Sequence, residues 1–143
     1  MVVLVVLGGL ASADDKLVQT YEGQIVISPD PVPKTLDELR KFVTSNAAKD
    51  RRYELIKGPP WEINLVGFLS KDPGTTPVTL VFIDAADKKQ TPLQSIDVSS
   101  KRRMVIVKTV ATVAAGFEAT KTYVVQLMLK STVLAKTELT LRN

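Results

Sequence analysis

Residues 123–141 read YVVQLMLKSTVLAKTELTL, and this stretch indicates the fold class. Apolar residues recur at every second position on both sides of a turn at residues 130–132. A period of two places one set of side chains on a single face of a β-strand. The set predicted to point inward is Tyr123, Val125, Leu127, Leu129, Val133, Ala135, Leu139 and Leu141. The stretch therefore predicts two strands, over residues 123–129 and 133–141.

Similar strand-like segments fill most of the chain. They lie at residues 17–27, 53–57, 61–70, 78–83, 93–98 and 104–110. Turn residues separate them at intervals of about 8–12 residues, which is typical of a β-sandwich. Residues 35–48 differ, because their apolar residues follow helical spacing behind a Thr35–Glu38 capping-box pair. We predict a mainly β, two-sheet sandwich of about seven or eight strands with one inserted helix; a small barrel fits the periodicity almost as well.

The corner before the penultimate strand resembles that of fibronectin type III and related immunoglobulin-like sandwiches. In these domains an apolar residue six positions before a Tyr enters the core, and the Tyr hydroxyl bonds to backbone across the corner. Phe117 and Tyr123 stand at those positions, and Trp61 resembles the buried Trp of such domains. The resemblance covers residues 61–143 in pattern only, and the inserted helix and long N-terminal part depart from it. It implies an immunoglobulin-like sandwich with an adhesive or scaffolding role.

The composition excludes several classes of catalytic site. The 143 residues include no His and no Cys, which excludes Ser-His-Asp triads, thiol nucleophiles, disulfides and metal sites built on either residue. Adjacent Ser-Lys pairs point to opposite faces of a strand, which argues against a shared site. Asp84 and Asp87 flank a turn without the further oxygen ligands that calcium needs. We predict no enzyme, no catalytic residue, no cofactor and no bound metal.

The first 13 residues, MVVLVVLGGLASA, are predicted to be a signal peptide. Small residues at Ala11 and Ala13 suit signal peptidase, and the apolar run is shorter than the about 20 residues that span a bilayer. No Lys or Arg precedes the run; a truncated N-terminus would explain this departure, and a buried N-terminal strand is the alternative interpretation. The expected arrangement is a leader at 1–13 and one domain at 14–143. The expected location is the periplasm or the cell exterior.

Two clusters of basic residues and one aromatic residue are the candidate binding positions. They are Arg51, Arg52, Trp61, Lys101, Arg102 and Arg103. The net charge is +4, and an aromatic content of 6% argues against nucleic-acid binding. One interpretation is a site for an anionic partner such as envelope polysaccharide or lipid. The other is solvated turns whose charges protect neighbouring strands from aggregation.

Several predicted strands are apolar on both faces, such as those that contain Val66 with Phe68 and Val124 with Met128. A sandwich of two sheets covers only one face of each. Either the inserted helix or a protein partner must therefore cover the second face. We predict a non-catalytic structural or protein-interaction module of a bacterial envelope or surface assembly, without a transmembrane span. The alternative is a binder of envelope polysaccharide or lipid through the basic turns and Trp61.

Overall fold

A computed structural model describes the backbone of residues 2–5 and all of residues 15–143. Two helices and eight strands follow residue 14, and a further short strand precedes it. The helices are α1 (Asp15–Thr20) and α2 (Leu36–Asn46). The strands are β1 (Val2–Val5), β2 (Ile25–Ser28), β3 (Arg52–Leu55), β4 (Trp61–Phe68), β5 (Val78–Asp84), β6 (Pro92–Val98), β7 (Met104–Ala111), β8 (Thr122–Leu129) and β9 (Thr132–Leu141).

The strands form two sheets that pack face to face. Sheet A has the order β1-β7-β4-β2, and sheet B has the order β3-β9-β8-β5-β6. Neighbouring strands are antiparallel except β3 and β9, which are parallel. A Cβ at Gly67 of sheet A would overlap the side chain of Leu127 of sheet B, so the sheets approach closely there. The predicted mainly β, two-sheet sandwich is confirmed.

The helix predicted at residues 35–48 is confirmed as α2. Thr35 is its N-cap and accepts a hydrogen bond from the backbone N–H of Glu38 at 3.4 Å. Leu39, Phe42 and Val43 are buried along one side, as their helical spacing requires. The helix contacts β2, so its apolar side covers part of sheet A.

The prediction of one strand over residues 17–27 is wrong in its first half. Asp15–Thr20 is the helix α1, and only Ile25–Ser28 is a strand. Leu17 and Val18 are buried, and the amide of Tyr21 donates to the carbonyl of Leu17 at 3.1 Å, which continues a helical turn. The spacing of Leu17 and Tyr21 fits a helix as well as a strand. Gly23, with φ of +79°, then turns the chain into β2.

The hairpin of β8 and β9 is confirmed, but one of its residues was assigned to the wrong face. Tyr123, Val125 and Leu127 are buried as predicted, whereas Val133 is 41% exposed. The register shifts after Leu127, because Leu127 faces Ala135 while Met128 faces Val133. The extra residue in β9 is a β-bulge, which interrupts the alternation of faces.

The corner before β8 has the hydrogen bond that the resemblance implies. Phe117 is fully buried, and its ring centroid lies 5.1 Å from that of Tyr123. The backbone N–H of Glu118 donates to the Tyr123 hydroxyl at 2.8 Å. Burial raises the pKa of Tyr123, so the hydroxyl remains protonated while it serves this contact.

The N-terminal strand β1 lies along the outer edge of β7. The two are antiparallel, with Val2 opposite Thr109 and Val5 opposite Ile106. The small residues of the predicted cleavage site, at 11–13, lie outside the described residues, and the signal peptide stays a prediction. Among the described residues, the helices are too short to cross a membrane.

Candidate functional site

A groove of about 680 Å³ opens where β2 and β3 end and β4 begins. Its apolar part comes from Pro29, Leu55, Ile56, Pro60 and Trp61. Proline-containing breaks follow β2 and precede β4, so neither strand extends across the opening. The groove therefore joins three segments that are well separated in the sequence.

The floor of the groove is held by Trp61. This side chain is 1% exposed, and its indole N–H donates to the carbonyl of Arg142 at 2.7 Å. The amide of Arg142 in turn donates to the carbonyl of Leu55 at 2.8 Å. A Cβ at Gly58 would overlap the indole ring, so glycine lets the chain pass over it. These contacts connect β3, β4 and the end of β9 into one rigid base.

The rim of the groove has an excess of negative charge. Three carboxylates line it, from Asp30, Glu54 and Glu62, whereas Lys57 is the one cationic side chain among the described lining residues. Glu54 is neutralised by Arg142, whose Nε lies 2.9 Å from a carboxylate oxygen. Asp30 and Glu62 are exposed and form no ion pair with another described residue.

The wall of the groove presents Ile56, which is 61% exposed. An exposed aliphatic side chain beside unpaired carboxylates can contact the apolar part of a ligand whose charged part is cationic. Sequence reasoning missed this site, although the breaks at Pro29 and at 58–60 marked two of its boundaries. The arrangement suits recognition by contact, because the exposed Ile56 side chain and the carboxylates of Asp30 and Glu62 line the same groove.

The predicted binding residues Arg51 and Arg52 lie at the start of β3. The carbonyl of Arg51 accepts from the Thr137 hydroxyl at 2.7 Å and from the amide of Glu138 at 3.1 Å. The Arg52 guanidinium lies 3.8 Å from the Glu138 carboxylate. This part of the cluster therefore joins β3 to β9.

The second basic cluster contacts a different part of the fold, around α1. Arg103 donates through Nε to the carbonyl of Leu69 at 2.8 Å, and its guanidinium pairs with Glu22. Arg102 lies 3.8 Å from the carboxylate of Asp15. Lys101 pairs through its backbone with Met104 in a tight turn. Anion binding by either cluster stays a prediction, and both clusters already have structural contacts.

Trp61, the remaining predicted binding residue, belongs to the groove rather than to either cluster. Its ring is almost fully enclosed, so the surface that a stacking sugar would need is occupied by protein. The structure thus brings Trp61 together with Ile56 and the acidic rim.

Lys121 forms two ion pairs beside the corner that precedes β8. Lys121 Nζ lies 2.9 Å from Glu118 Oε2 and 3.0 Å from Asp84 Oδ2. The backbone N–H of Ala86, and then Lys121, lower the pKa of Asp84, while Glu118 and Asp84 raise the pKa of Lys121. Both shifts favour the charged forms near neutral pH, which suits structural pairing more than proton transfer. The described residues contain no group of three or more acidic side chains placed to hold a metal ion.

Comparison with known proteins finds no match for this chain. No family model, no curated protein and no solved structure matches it. Its function therefore has to be argued from its own surfaces, since a fold class alone does not fix a function.

Proposed function

We propose that this protein is an exported, non-catalytic protein-interaction module of a bacterial envelope or surface assembly. The observation that carries the proposal is the groove of about 680 Å³, with exposed Ile56 on its wall. On its rim lie the carboxylates of Asp30 and Glu62, which form no ion pair within the part of the chain that the structure describes. Residues 1–13, with the pattern of a leader, support export.

The arrangement of strands supports an immunoglobulin-like module. In the usual lettering of immunoglobulin strands, which is independent of the sheet labels used above, strands A, B and E lie in one sheet. Strands C, F and G lie in the other. If β2, β4 and β7 are A, B and E, and β5, β8 and β9 are C, F and G, the neighbours in both sheets agree with that order. The hydrogen bond at the Tyr123 corner supports the same assignment. Modules of this kind present their edges and end loops to partners.

The groove favours a protein segment that carries a basic residue next to an apolar one. Asp30 and Glu62 would attract a Lys or Arg side chain, and Ile56 would contact the neighbouring apolar side chain. Buried apolar contact provides affinity, while the complementary charges select the partner and its orientation.

Envelope polysaccharide or lipid is the second candidate ligand, favoured by the net charge of +4 and by the basic turn at residues 101–103. The acidic rim would repel an anionic polymer at the groove. Arg52, Arg102 and Arg103 would each have to exchange an existing ion pair for the new contact. A protein partner is therefore the better-supported proposal.

Recovery of partners from an envelope extract tests the proposal, with Ile56→Asp as the decisive variant. Val113→Asp is the matched control, because Val113 is also an aliphatic side chain and is 58% exposed, against 61% for Ile56. We expect wild type and Val113→Asp to retain one protein in stoichiometric amount, and Ile56→Asp to lose it. Equal retention by all three chains would contradict the groove, and retention of polymer alone would favour the second candidate.

A further inference from the structure

Three of the sheet edges have features that discourage the addition of another strand. β2 has only four residues and is followed by Pro29 and Pro31. β3 also has only four residues and exposes Arg52 and Glu54. β6 begins at Pro92 and exposes most of its polar side chains. Short length, proline and charge are the usual protections of an edge strand.

The outer edge of β7 lacks these protections. Met104–Ala111 has eight residues, contains no proline and has Lys108 as its one charged residue. Its first four residues are buried. The edge is paired with the uncharged segment Val2–Val5, in antiparallel register from residue 106 to residue 109. Backbone hydrogen bonding between the two strands therefore takes the place of the missing protections.

We propose that the outer edge of β7 is a strand-acceptor site. Val2–Val5 fills it in the unprocessed chain. Once the leader is removed, it accepts an extended, β-branched, apolar segment of another polypeptide in antiparallel pairing. The removal step rests on the proposed export, whereas the acceptor property rests on β7 itself.

The chemistry of the acceptor follows from the geometry of strand addition. Without β1, a row of N–H and C=O groups along β7 would have no strand partner, and another extended backbone can satisfy them. Pairing through backbone sets few demands on side chains, so the incoming segment needs extended conformation and no charge. Val2–Val5 is a segment of that kind already seated on this edge.

A peptide-binding experiment in the full chain tests the acceptor without relying on processing. Val3→Pro should release the edge, because the backbone N–H of Val3 faces β7 opposite Lys108 and proline cannot donate to the ladder. A second variant, Val3→Cys with Lys108→Cys, should close it, because these positions are directly opposite and the chain has no other cysteine. The probe is a fluorescent peptide that contains VVLV between lysines, and the control peptide contains VPLV.

We expect the probe to bind Val3→Pro at least about tenfold more tightly than wild type, because β1 competes for the same edge. The oxidised double-cysteine chain should bind no probe, and no chain should bind the control peptide. Equal binding to the released and the closed chains would overturn the proposal. Failure of the disulfide to form would also overturn it. Dimerisation of Val3→Pro that excludes the probe would overturn it too, because a second copy would then be the occupant.

The N-terminal mass of the exported chain separates this inference from the proposed function. Retention of residues 1–13 after export would contradict processing and leave the peptide result to decide the acceptor property. Removal of those residues, together with no probe binding to Val3→Pro, would support processing and refute the acceptor.

Discussion

The outer faces of both sheets carry apolar residues, but these residues are buried on sheet A and only half-buried on sheet B. On sheet A, Val66 and Phe68 are fully buried, and the Tyr21 ring after α1 lies 5.6 Å from that of Phe68. On sheet B, Val124 and Met128 remain half-buried. On sheet A, Tyr21 covers Phe68, and the inserted helix α2 packs on β2. The comparison teaches that an apolar second face indicates burial, but does not say whether a helix, neighbouring side chains or a partner provides it.

The largest expected difference between the faces is in the free energy of unfolding. Phe68→Ala should lose about 3–5 kcal/mol, because it removes a fully buried ring and leaves a cavity beneath Tyr21. Met128→Ala should lose about 1 kcal/mol or less, since a half-exposed side chain has less transfer free energy to lose. Urea denaturation of both variants measures the difference. Equal losses would show that sheet B has an apolar cover comparable to that of sheet A.

A smaller effect concerns how the cover of sheet A is attached. The backbone N–H of Ala48, just after α2, donates to the Tyr53 hydroxyl at 3.0 Å. Tyr53→Phe should cost about 1–2 kcal/mol, because the amide loses its acceptor in a partly buried place. Tyr21→Phe is a control in which the ring on Phe68 is kept. Hydrogen exchange at Ala48 should accelerate in Tyr53→Phe alone, and exchange unchanged from wild type would contradict this attachment.

The smallest expected effect is a pH dependence at sheet B that sheet A should lack. The pKa of Asp84 is lowered from its ordinary value of 3.8, first by the Ala86 N–H and then by Lys121. A depressed pKa contributes stability above the ordinary value, and that stability is lost as the pH falls through the folded-state value. The stability difference between wild type and Asp84→Asn should therefore shrink below pH 3.8. The difference for Phe68→Ala should stay constant, since no charge changes there.

The parts of the fold that sequence reasoning predicted are those with local signals. Alternation located the strands after residue 50, and capping with helical spacing located α2. The Phe117–Tyr123 pattern located the buried corner. Each of these signals lies within one element, so the chain's own periodicity is sufficient to find it.

The parts that sequence reasoning missed depend on contacts between distant segments. Helix α1 has six residues, too few for its period to be distinguished from a strand. The bulge in β9 lies between its pairings with Leu127 and Met128 of β8, where no Gly or Pro marks it in the sequence. The groove assembles Asp30, Ile56 and Glu62 from three segments, and Arg103 finds Glu22 across 81 positions of sequence. Tertiary structure decides these pairings, so periodicity within a segment has no signal for them.

The parallel pairing of β3 with β9 has a consequence for the order of assembly. Arg52 lies opposite Glu138 and Leu55 opposite Leu141, so β3 pairs with the strand that follows all the other described strands in the sequence. β3 cannot enter sheet B before β9 has been made, and the Trp61 indole cannot form its hydrogen bond before Arg142 has been made. Distant pairings of this kind slow folding. If the proposed export carries the chain across a membrane unfolded, such a delay would keep it open until the crossing is complete.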